Sequence, residues 1–125
     1  SHALQLEVGY LSNDWAQRFT NPDFIHDEID LREASKFLFY VLKFTEEPKM
    51  QDSELKALTF LNIANFFGIK GNYLTQIYWL EKANLSTANN LSTGKYKSEV
   101  FSGLTSAYLK LGNMNKAEFY LKQLE

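Results

Sequence analysis

Residues Ala57 to Ala83, ALTFLNIANFFGIKGNYLTQIYWLEKA, decide how the rest of the chain is read. Phe60, Ile63, Ala64 and Phe67 recur at the three- and four-residue steps of one helical face, and the pattern breaks once, between Gly68 and Asn72. Gly71 stands where a helix C-terminus needs a left-handed residue, and Asn72 is suited to cap the helix that follows. The stretch therefore predicts two amphipathic helices folded back as a hairpin.

A second, divergent copy follows it. Phe60, Ile63, Ala64, Phe67, Gly71, Tyr73, Leu80 and Ala83 correspond, at a constant offset of 41, to Phe101, Leu104, Thr105, Tyr108, Gly112, Met114, Leu121 and Leu124. Every pair but Ala64/Thr105 matches apolar with apolar or glycine with glycine, and a constant offset across two helices and their turn is a repeat signal. An earlier partial copy is seen in Leu31, Ala34, Leu38 and Val41, which precede Tyr73, Gln76, Leu80 and Ala83 by 42.

Outward from this core, Leu4, Val8, Leu11, Trp15 and Phe19 predict a first helix from about Ala3 to Thr20, weakened by Gly9 and Ser12-Asn13-Asp14 and ended at Asn21-Pro22-Asp23. A second helix starts near Asp27 to Asp30, with Asp30 and Glu33 at capping-box spacing, and runs to about Phe44. Its stripe of Leu31, Ala34, Leu38, Val41 and Leu42 is joined by Phe37, Phe39, Tyr40 and Phe44, a composition expected of a helix buried on more than one side. The hairpin helices are expected over about Asp52 to Ile69 and Asn72 to Ser86. After a polar stretch, Thr87 to Gly94, a fifth helix is expected over about Thr93 to Leu111 (Tyr96, Val100, Leu104, Ala107, Leu111), and a sixth over Met114 to Leu124.

Composition limits the function classes. With 125 residues, 45% of them apolar and 15% aromatic, the chain can bury a core, which argues against disorder. It has no cysteine, so disulfides, thiolate metal sites and cysteine nucleophiles are excluded. No apolar run approaches the roughly 20 residues of a membrane-spanning helix, and no export signal is recognisable, so a cytoplasmic location without membrane contact is expected. Ser1-His2 reads as a cloning remnant, and the chain is expected to be a piece of a longer protein. Through Glu47 there are nine acidic and four basic residues, a net of −5, and beyond it nine basic and six acidic, a net of +3. The C-terminal part could attract an anionic group, but the chain lacks the basic surface that direct contact with duplex DNA requires.

The repeat resembles the tetratricopeptide repeat (TPR), whose pattern is large-x2-Leu-small-x2-Tyr in helix A and Ala-x3-Phe in helix B. The first copy reads Phe60-x2-Ile63-Ala64-x2-Phe67 then Gln76-x3-Leu80, and the next Phe101-x2-Leu104-Thr105-x2-Tyr108 then Ala117-x3-Leu121. It departs from the pattern at Gln76, where a small residue belongs, and in a period of 41 against the usual one of roughly 34. Longer-period TPRs are similar to those of bacterial signalling and transcription regulators, among them intracellular peptide-pheromone receptors. The resemblance implies an all-α fold of about six helices, antiparallel hairpins stacked as a right-handed α-α superhelix. It divides a single 1–125 domain into a divergent helical pair, 1–56, and clearer repeats, 57–97 and 98–125.

Such a superhelix lines its inner face with A helices, so helix A positions outside the core stripe are candidate groove residues. The offset pairs them as Leu58 with Glu99, Leu61 with Ser102, Asn62 with Gly103, Asn65 with Ser106 and Ile69 with Lys110. Asn62 and Asn65 stand out, because an amide can hydrogen-bond both the N–H and the C=O of an extended peptide. The resemblance thus implies a peptide- or protein-binding module, the sensor part of a larger regulator, with no cofactor or metal. The alternative is a self-association module, a homodimer built on Phe37, Phe39, Tyr40 and Phe44 or on Tyr78 and Trp79. Catalysis has little to stand on. His2 and His26 are isolated, NNLSTGK at Asn89 to Lys95 lacks the first glycine and the final Ser or Thr of a phosphate loop, and Ser53-x2-Lys56 and Ser92-x2-Lys95 have no supporting residues.

Overall fold

The computed structural model describes residues 7–11, 13, 28–45, 53–87 and 94–124, and every element among them is helical. Helix α1 comprises residues 7–11 and 13, followed by α2 (Glu28–Thr45), α3 (Ser53–Ile69), α4 (Tyr73–Thr87), α5 (Gly94–Lys110) and α6 (Met114–Gln123). The rest of the expected first helix, the Asn21-Pro22 break, His2, His26 and the NNLST stretch lie outside the described residues.

The two hairpin turns are the same turn. Gly71 and Gly112 have φ of 77° and 78°, a conformation that a β-carbon disfavours. The N–H of Asn72 donates to Phe67 O at 2.9 Å and that of Asn113 to Tyr108 O at 2.9 Å, closing both helix ends in the same way. Each asparagine then caps the next helix through its side chain, Asn72 Oδ1 accepting from Thr75 N at 3.3 Å and Asn113 Oδ1 from Lys116 N at 3.1 Å. Every one of these bonds recurs at the offset of 41, so the repeat extends to individual backbone hydrogen bonds.

Neighbouring helices pack in chain order, α2 on α3, α3 on α4, α4 on α5 and α5 on α6, while α3 also touches α5. An equivalent aromatic pair lies in each hairpin. Phe60 and Trp79 lie 5.9 Å apart between α3 and α4, and their equivalents Phe101 and Tyr120 lie 5.9 Å apart between α5 and α6. Tyr120 also stacks on Tyr108 and donates its hydroxyl to Glu81 Oε1 at 2.5 Å, tying α6 back to α4.

The helix buried all round is α3, not α2. Leu55, Ala57, Leu58, Thr59, Phe60, Leu61, Asn62, Ile63, Ala64 and Phe66 are all buried, because α1, α2, α4 and α5 meet this one helix from different sides. Helix α2 buries Leu38 against Ile63 and Phe66, and Val41 against Leu55, but leaves Phe39 and Tyr40 40% and 57% exposed. The fifth helix ends at Lys110, so Leu111, expected in its stripe, sits exposed in the turn.

Candidate functional site

The positions singled out on the A helices divide into three groups. Leu58 and Leu61 are buried in the apolar cluster that α3 shares with α4 and α5, alongside Tyr96, Val100 and Leu104. They are core residues, which corrects the expectation of a groove position at Leu58. Their equivalents Glu99 and Ser102 are exposed. Glu and Ser thus stand on α5 where α3 has two buried leucines.

Asn62 is corrected more sharply, being fully buried, at 0% exposure, beneath α1. Asn13 explains why. Its Nδ2 donates to Gly9 O at 2.9 Å and to Thr59 Oγ1 at 3.0 Å, and the Thr59 hydroxyl in turn donates to Leu55 O at 2.8 Å. With the Asn13 amide so oriented, its Oδ1 faces Asn62 and accepts from Asn62 Nδ2 at 2.9 Å. Turning the Asn62 amide over would set two oxygens against each other, so Asn62 Oδ1 is left buried without a donor. No local signal pointed to this arrangement, because Asn13 reads as a helix-weakening residue and its partners are 46 and 49 residues away. Gly103, the equivalent of Asn62, is half-buried, and an added β-carbon would come within 3.1 Å of Leu80 Cδ1.

Asn65 and Ile69 on α3, and Ser106 and Lys110 on α5, are left. The first two are half-buried and the last two exposed, at matching positions on two A helices that touch. Lys110 is not a bare charge, since its Nζ lies 5.2 Å from the centre of the Tyr73 ring, within cation–π range. The Tyr78-Trp79 surface of α4 is likewise partly roofed, with Lys82 Nζ 5.3 Å and 5.1 Å from the two rings and 5.5 Å from Phe60. Among the described residues no group of three His, Cys, Asp or Glu is placed to hold a metal ion, and no helix is long and apolar enough to cross a membrane. An open hollow of about 440 Å³ lies at the α5–α6 turn, lined by Leu111, Gly112, Asn113, Met114 and Asn115.

Fold and surface together define an all-α protein of stacked helical hairpins, with a short row of accessible residues on two touching helices. Compared with family models, with curated proteins and with solved structures, the chain finds no match.

Proposed function

We propose that this chain is a non-catalytic peptide- or protein-binding module of TPR-like architecture, the sensing part of a cytoplasmic bacterial regulator of the peptide-responsive transcription-regulator type. The observation that supports this most is the row Asn65, Ile69, Ser106 and Lys110, which packing leaves accessible at equal register on two touching helices. A side-chain amide, a hydroxyl, an aliphatic surface and a cation in series suit an extended main chain and an acidic group. In this reading the module itself touches no nucleic acid, in keeping with a net charge of −2.

Panning of random linear peptides displayed on phage tests the proposal. Selected peptides should lose about tenfold or more in affinity with Asn65→Ala, as one or two hydrogen bonds go, and all binding with Ser106→Arg, which fills the row. Failure to recover any peptide of micromolar affinity, or peptides indifferent to both substitutions, would overturn it.

A further inference from the structure

Helix α6 carries an apolar stripe that its counterpart in the first hairpin keeps covered. On α4, Leu80 and Ala83 are fully buried and Tyr73 half-buried against α5, where Leu80 meets Gly103 and Tyr73 meets Lys110. Their equivalents on α6, Leu121, Leu124 and Met114, are 50%, 38% and 62% exposed. Only Ala117 and Tyr120 of this helix are buried. Exposed apolar groups at helical spacing on one face mark a surface where another element could dock.

The charges beside the stripe say which occupant. Glu118 stands where α4 has Ile77, and Glu99 and Ser102 stand where α3 has Leu58 and Leu61, so another helix packed as α5 packs on α4 would bury a carboxylate against apolar groups. Lys122 lies one turn on, its Nζ 3.3 Å from Glu118 Oε1, both side chains well exposed. Two α6 helices laid antiparallel about a two-fold axis turn this arrangement into a match. The axis keeps each rim on its own side and reverses its order, so Glu118 of each copy comes level with Lys122 of the other, while Met114 comes close to Leu124. We infer that the chain self-associates through α6, as an antiparallel pair of second copies with Leu121 near the centre and reciprocal Glu118–Lys122 contacts along one rim. This surface is separate from the row on α3 and α5.

The test is sedimentation velocity on the 125-residue chain from micromolar to near-millimolar concentration, with helicity monitored by circular dichroism. The mass should rise from 14.5 kDa towards twice that value. Leu121→Lys, at an exposed position, should hold it at the monomer mass without loss of helix. Glu118→Lys and Lys122→Glu should each weaken association by about tenfold, since two symmetric pairs turn repulsive. An equimolar mixture of these two variants should associate again. The side chain introduced by Glu118→Lys in one chain then faces the one introduced by Lys122→Glu in the other, and the unchanged Lys122 of the first faces the unchanged Glu118 of the second. A wild-type chain that stays monomeric throughout, or a mixture no better than either variant alone, overturns the proposal; only pairing between chains restores the mixture, because each variant's internal pair stays broken.

Discussion

Asn62 is where sequence and structure part most clearly at the scale of a residue. An asparagine off the apolar stripe of a helix reads as available to a ligand, but this one sits in a buried helix contact, bound to Asn13 by one short bond and with its own oxygen unpartnered. Leaving a buried polar group unsatisfied is more costly than never having one there. Asn62→Ala should therefore destabilise the fold by about 1–3 kcal/mol in urea unfolding, because Asn13 Oδ1 loses its donor. Replacing both asparagines by leucine should cost clearly less than the sum of the single substitutions, whereas Asn65→Ala should leave stability within about 0.5 kcal/mol. Equal effects at Asn62 and Asn65 would remove the distinction drawn between them.

For the hairpin as an element, Gln76 is the informative departure from the TPR pattern. Its side chain lies over Gly68 so closely that a β-carbon there would stand 2.6 Å from Nε2. At the offset of 41 these positions hold Leu109 and Ala117, so a large residue on helix B faces a small one on helix A in one copy and the sizes are exchanged in the other. Gly68→Ala alone should bring little gain, because Gln76 must move aside. In a Gln76→Ala background the same change should stabilise by about 1 kcal/mol, the difference in helix propensity between the two residues. A double-mutant cycle by chemical denaturation reads this coupling directly, and additive effects would mean that the two side chains do not compete for the same space. The hairpin turns needed no such pairing to be legible, because Gly71-Asn72 and Gly112-Asn113 act through local backbone geometry.

Over the whole molecule, the second hairpin is fastened to the first by the apolar cluster that α5 shares with α3 and α4, and by Tyr120, which reaches back from α6 to Glu81. Burial first, then the hydrogen bond to Glu81 and its negative charge, then Tyr108, hold the Tyr120 phenol above its ordinary value of 10.0, and burial followed by the Glu81 charge raises Tyr108 as well. Well below that ordinary value both phenols are neutral whether the chain is folded or unfolded, and their contribution is fully present. Above about pH 10 the unfolded chain releases protons that the native state retains, so stability falls as pH rises towards the folded-state values. Tyr120→Phe should lower stability at neutral pH by about 1 kcal/mol and flatten this alkaline decline, as measured by urea midpoints from about pH 7 upward. An unchanged pH profile would show that the phenol is not the group responsible. By itself the sequence determined the all-helical class, the helices from α3 onward to within a residue or two, both turns and the 41-residue repeat, because periodicity, capping and glycine conformation act over a few neighbouring residues. Only the tertiary structure decided that α3 is the central helix, that Phe39 and Tyr40 face outward, that Asn62 belongs to the core and that the α6 stripe lies open. Which face of a helix is covered depends on partners far away in the chain, and no local pattern carries that information.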